Sequence, residues 1–190
     1  MRAQHDALWC RFFLLVHPQE LAKPTNTGHL LLTGLPGSEY AAWSRVEPPV
    51  TLLERLVEPG WRPYLLFPED AVQAAVEVVA ADQLWQDCSS SLSLPQPRPL
   101  FILLDGTWQQ ARKMYRQSPY LQRLPLVSLS PAQASQYHLR RNLQAGHLST
   151  AEVAAELLRN LGQEVLGQRL LAHLRLFLRH YEASRSNHSV

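Results

Sequence analysis

Cysteine is nearly absent. The 190 residues include two, Cys10 and Cys88. They form no CxxC pair, so no structural zinc site is expected. Both read as small, partly buried apolar residues, and no disulfide is expected in a reducing compartment. Long apolar runs are missing too. None approaches 18 residues, so no membrane span is expected. Met1 to Arg11 lacks the plan of a signal peptide, because His5, Asp6 and Arg11 interrupt it. A cytoplasmic location is the inference. There is also no Gly-rich dinucleotide fingerprint, P-loop, HExxH or G-x-S-x-G.

What remains is a chain of ordinary globular composition, 46% apolar and 18% charged. Its length suits one domain with a sizeable core, expected over residues 1–183, followed by an unstructured tail at 184–190. Net charge is only +2, but it is unevenly spread. Between Arg98 and His147 seven Lys/Arg face one acid, Asp105, while the remainder of the chain is net acidic. Such asymmetry fits a polyanionic partner; a solvated basic face is the alternative.

Four short apolar runs stop at proline or polar residues: Phe12–Val16, Tyr64–Phe67, Leu100–Leu104 and Leu126–Leu129. They lack strict alternation, which predicts strands buried on both faces of a parallel sheet covered by helices. The fold class is therefore α/β. Helical patterns are expected over Thr27–Leu35, Glu69–Trp85, Thr107–Arg116, from Ser149 to about Gly162, and Glu164–Tyr181. Ser149-Thr150-Ala151-Glu152 matches a capping box. Ser89–Pro99 and Ser130–His147 read as loops, the second long enough to suggest a function.

The most informative stretch is Leu100 to Met114. An apolar strand ends at Asp105, Gly106 permits a tight turn, and Thr107 caps a helix carrying Arg112, Lys113 and Arg116. In open α/β sheets ligands bind beyond the carboxyl ends of the strands. Asp105 reads either as a turn-forming cap or as a general base or ligand-positioning carboxylate. Trp108 suits the core or a stacking surface equally. The three basic side chains cluster on one side of the helix, where they suit phosphate contact. His17 and Glu20 follow directly on a strand. Asn26, Thr27 and Gly28 then open a helix whose free N–H groups favour an anion. Pro68 leads from a strand into Glu69 and Asp70. Tyr137, Arg140 and Arg141 lie in the long loop before Leu148, Ser149 and Thr150.

Asp105-x-Thr107-Trp108-x-x-Ala111-x-Lys113-Met114 resembles the signature of the DTW-domain family, and every named position matches. His17-Pro18-x-Glu20 with Asn26-Thr27-Gly28 is similar to that family's first motif. Leu66-Phe67-Pro68-x-x-Ala71 is similar to its second. Tyr137-x-x-Arg140 with Leu148-Ser149-Thr150 and Glu152 is similar to its last. The four run in order over about three quarters of the chain. Two departures stand out: Val153 where alanine is usual, and a lone Cys10 where many relatives carry an N-terminal cysteine cluster. The resemblance implies a SPOUT-like fold with a trefoil knot. It also implies transfer of the aminocarboxypropyl group of S-adenosylmethionine to N3 of a tRNA uridine, without a metal. On that reading Asp105 accepts or orients the N3 proton. The cofactor lies among His17, Glu20, Asn26, Thr27, Gly28, Pro68, Thr107, Trp108, Leu148, Ser149 and Thr150. Arg112, Lys113, Arg116, Tyr137, Arg140 and Arg141 bind the tRNA. An RNA methyltransferase of similar fold, or a basic RNA-binding module without activity, are the alternatives.

Overall fold

A computed structural model of the chain describes residues 9–72, 76–84, 97–129 and 149–186. Its centre is a parallel sheet of β1 (Arg11–Val16), β2 (Glu39–Ala42), β3 (Trp61–Leu66), β4 (Val78–Ala80), β5 (Arg98–Asp105) and β6 (Leu126–Ser128). The spatial order is β2-β1-β5-β3-β6-β4, with every described pairing parallel. The four predicted apolar runs are the four inner strands. β5 is almost wholly buried, and Phe12, Phe101, Ile102, Leu14 and Leu65 are sealed from solvent. Each such side chain contributes about 1.5–3 kcal/mol by leaving water.

Alternate residues of these strands feed two apolar layers, as a sheet buried on both faces requires. Phe12, Leu14, Phe101 and Leu103 face one layer. Helices α2 (Gly28–Gly34), α5 (Thr150–Asn160) and α6 (Glu164–Ser186) cover it. Phe13, Leu15, Leu65 and Ile102 face the other, under α3 (Val50–Leu56) and α4 (Trp108–Arg116). A short helix, α1 (Pro18–Leu21), follows β1. α5 ends in a Schellman motif. Gly162 (φ +71°) donates to Arg159, and Gln163 donates to the Leu158 carbonyl at 2.8 Å. The chain then turns into α6, and the two helices pack tightly. A Cβ on Gly167 would stand 2.8 Å from the Ala155 carbonyl oxygen.

Three expectations change. The helix predicted over Glu69–Trp85 is instead a 3-10 turn (Glu69–Ala71), then strand β4, then one helical turn at 81–84. Its valines carry the reason. β-Branched side chains fit a pleated surface better than a helix, and β6 offers Val78 and Val79 a partner. Arg98 and Pro99, expected in a loop, belong to β5. α6 runs to Ser186, five residues past its predicted end at Tyr181. β2 and α3 were not predicted at all, since Glu39–Ala42 and Val50–Leu56 are half-exposed and carry weak patterns. Among the described residues no helix is long and apolar enough to cross a membrane. Cys10 is buried and free. Cys88 and most of the two predicted loops lie outside the described residues.

Candidate active site

β1 and β5 are neighbours, but the chain leaves them in opposite directions. From β1 it passes through α2 to β2 on one side; from β5 it passes through α4 towards β6 on the other. The two helices cover opposite faces of the sheet. A crevice outside the carboxyl ends of such a strand pair is where open α/β sheets bind ligands. Asp105 ends β5 and His17 follows directly on β1, and the His17 N–H donates to the Asp105 carbonyl at 2.9 Å.

The Asp105 side chain is fully buried. Its Oδ2 accepts from Asn26 Nδ2 at 2.7 Å, and its Oδ1 accepts from the Thr150 hydroxyl at 2.6 Å. Three segments far apart in sequence therefore meet on one carboxylate. Asn26 also donates to the Glu20 carbonyl and accepts from the Gly28 N–H at 2.6 Å. Thr27 accepts from the Ala151 N–H, joining the starts of α2 and α5. Gly28 explains itself by crowding. A Cβ there would lie 2.7 Å from Asp105 Oδ2 and 2.8 Å from Leu14. Burying a carboxylate is costly unless hydrogen bonds satisfy it, and this cluster supplies them.

Caps hold the surrounding elements. Thr107 and Gln110 form a capping box on α4, and Ser149 and Glu152 form one on α5. Gln110 reaches across to Gln19 at 2.9 Å, bridging the turns after β5 and β1. His17 caps α1 with Nδ1, which accepts from the Gln19 N–H, and its ring stacks on Trp43 at 5.7 Å. Burial pushes the His17 pKa below its ordinary value. Glu20 opposes that shift, while Lys113 and Lys23 add to it. The ring is thus neutral near pH 7, with the remaining proton on Nε2. Trp108 is half-buried, its ring stacked on Phe67 at 5.5 Å, and Phe67 stacks on Tyr115 at 4.8 Å. This brings the Pro68 turn beside the DTW segment. Glu20 is buried and holds Lys23 at 2.7 Å.

Among the predicted cofactor residues, Asn26 and Thr150 meet on Asp105, Gly28 lies against it, and Thr27 joins the starts of α2 and α5. His17, Thr107 and Ser149 cap neighbouring helices, Glu20 holds Lys23, and Trp108 stacks on Phe67, the residue before Pro68. Arg112, Lys113 and Arg116 project from the exposed side of α4. Leu148, Tyr137, Arg140 and Arg141 lie outside the described residues. Reading the sequence missed Trp43, whose Nε1 donates to Ser118 and whose ring positions His17. It also missed the Gln19–Gln110 bridge. Neither carries a spacing that would have announced it. Among the described residues no group of three His, Cys, Asp or Glu is placed to hold a metal.

The profile of the DTW domain matches residues 2–182. The chain belongs to the DTW-domain family. Over 57 residues it is 46% identical to tRNA-uridine aminocarboxypropyltransferase 2 of Drosophila melanogaster. That stretch is 30% of this chain and 23% of the fly protein, so the match spans under a quarter of that relative's length. No solved structure matches.

Proposed function

We propose that this protein is a tRNA-uridine aminocarboxypropyltransferase that uses S-adenosylmethionine. The observation that carries the reading is the Asp105 cluster. Residues from the first, third and last motifs of the DTW family converge on one buried carboxylate at the crevice between β1 and β5. The name of the fly relative supports the substrate class.

The side chains around the crevice suit the cofactor chemically. Trp108 offers a half-exposed aromatic face for a purine, and Gln19 and Gln110 offer amides for a ribose. When bound, S-adenosylmethionine supplies an electrophilic γ-carbon, to which uridine N3 bonds as the carbon–sulfur bond breaks and methylthioadenosine leaves. Uracil N3 must lose its proton to act. Asp105 takes that proton or holds in place the groups that orient the base. Its side chain is sealed from solvent, so the carboxylate reaches a substrate only if a covering neighbour such as Asn26 or Thr150 turns away. The positioning role needs no such opening. Neutral His17 keeps Nε2–H as a donor at the mouth. Much of the acceleration comes from alignment of the two reactants. Arg112, Lys113 and Arg116, with Arg140 and Arg141, bind tRNA phosphates, which position the substrate without specifying sequence. The family resemblance also supports a SPOUT-like knotted topology and a cytoplasmic location for this reading.

Product analysis tests the proposal. Purified protein, S-adenosylmethionine and unmodified tRNA should yield methylthioadenosine and aminocarboxypropyluridine. S-adenosylhomocysteine and a methylated base would instead establish a methyltransferase. Cofactor-independent tRNA binding with neither product would leave an RNA-binding module.

A further inference from the structure

The two strand ends at the crevice send their side chains to opposite faces of the sheet. Asp105 pairs in register with Val16 and follows Leu103 onto the face covered by α2, α5 and α6. His17, with extended backbone, follows Leu15 onto the other face, where Trp43 and the buried side of α4 lie. The Asp105 half is closed, since its carboxylate is sealed and accepts from Asn26 and Thr150. The His17 half is not. Nδ1 is taken by the Gln19 N–H at 3.3 Å, which leaves the ring's proton on Nε2. Among the described residues Nε2 makes no hydrogen bond, and His17 keeps 9% of its surface exposed.

Trp43 fixes that ring. It follows directly on β2, and its backbone N–H donates to the Val16 carbonyl at 2.8 Å. Its Nε1 donates to Ser118 Oγ at 2.9 Å, and both residues are buried. Ser118 is itself tied to the end of α4, because its N–H donates to the Tyr115 carbonyl. The indole is therefore anchored to β1 at its backbone and to α4 at its ring. Its plane lies 21° from that of His17, at 5.7 Å. Three segments distant in sequence thus hold one imidazole by its face and by one nitrogen, and leave the other nitrogen as an uncommitted donor.

We propose that His17 is a catalytic residue whose Nε2–H donates to a uracil carbonyl oxygen beside N3, and that Trp43 and Ser118 are the positioning residues that hold it there. This inference rests on the proposal that a tRNA uridine is the substrate. The N3 proton leaves, to Asp105 or to water, and its electron pair forms the bond to the γ-carbon. The carbon–sulfur pair departs with methylthioadenosine. As N3 loses its proton, negative charge spreads from N3 onto the two carbonyl oxygens that flank it. A donor fixed in advance at one of those oxygens stabilises this charge without reorganising. A neutral imidazole suits the task, because it donates its hydrogen bond and keeps its proton.

The test combines transfer kinetics on unmodified tRNA with NMR of the histidine side chains. His17→Phe keeps a ring against Trp43 and removes the donor. Its kcat should fall by roughly 100-fold while KM for tRNA stays within about twofold. His17→Gln, whose amide can donate, should recover part of that loss. Trp43→Leu uncovers the imidazole and leaves its charged neighbours Glu20, Lys23 and Lys113 in place. The His17 pKa should then rise towards 6.5, and kcat should fall by roughly tenfold or more. A Trp43 that served packing alone would lower the melting temperature and leave the His17 titration and kcat unchanged, which overturns its positioning role. In the unaltered protein the His17 Nε2 resonance should shift when unmodified tRNA is added. A resonance that stays in place overturns the inference without any substitution. If the unaltered protein forms aminocarboxypropyluridine and His17→Phe keeps its kcat, at any KM, the inference fails alone. If the unaltered protein forms no such product, the inference and the proposed function fail together.

Discussion

The two ends of β5 solve opposite problems. At its start, Arg98 lies over the Trp61 ring at 4.2 Å, and Arg11 lies over the same ring at 4.1 Å while pairing with Glu58. The charges there are partly exposed, and each contact is explained by packing an indole between two flat cations. At its end, Asp105 is sealed from solvent and gathers donors from α5 and from the turn before α2. Packing alone would favour an apolar residue at such a position. A buried carboxylate with its own set of donors adds little net stability and fixes the positions of its partners. The difference separates an end that holds the sheet together from an end that holds a site together.

The largest effect should come from Asp105→Ala. It leaves the Asn26 amide and the Thr150 hydroxyl without their acceptor, at a cost of about 1–3 kcal/mol for each buried donor. Urea unfolding should show the loss. Arg98→Ala, at the other end of the strand, should cost about 1 kcal/mol and leave transfer unchanged. Equal losses from the two substitutions would erase the contrast between the ends.

Glycine substitutions sharpen it. Gly28→Ala drives a methyl against Asp105 and Leu14, and should destabilise by about 1–3 kcal/mol while lowering transfer. Gly34→Ala meets nothing closer than His173 at 3.5 Å. In a helix that change should be neutral or stabilising by up to about 1 kcal/mol. Thermal melts of the pair decide whether the crowding at Gly28 is real.

The smallest effect concerns pH. The folded His17 resists protonation, whereas the unfolded chain takes up the proton near pH 6.5. This contribution to stability is complete above that pH and declines as pH falls towards the lowered folded value. His17→Gln should remove this part of the acid sensitivity. Unfolding midpoints between pH 7 and pH 5 in both proteins provide the check.

Much of the sheet was legible because β1, β3, β5 and β6 are buried on both faces, and continuous hydrophobicity is their direct signature. β4 was not. Its three residues depend on pairing with β6, a contact between distant segments that no local pattern encodes, while Ala71, Val72, Ala75, Val76 and Val79 imitate a helical stripe. At the site, the turn at Asp105 and the two capping boxes were readable because they are local. That Asn26, Asp105 and Thr150 share one carboxylate was not, since only the parallel pairing of β1 with β5 and the packing of α5 beside α2 bring them together. Asp105 also looked like the tip of a strand facing a loop. Its complete burial emerges only once Gly28 closes over it.

The central claim is that the Asp105 carboxylate, which accepts from Asn26 and Thr150, serves transfer, and single-turnover assays of Asp105→Asn test it most directly. The Thr150 hydroxyl can rotate to accept from the new amide, so the fold should survive at a cost of about 1 kcal/mol. Circular dichroism and tRNA binding should match the unaltered protein. Transfer of the aminocarboxypropyl group should fall by roughly 100-fold or more, because an amide cannot take the uracil proton and no longer holds Asn26 and Thr150 as two donors. Full transfer activity in a folded Asp105→Asn protein would contradict the account.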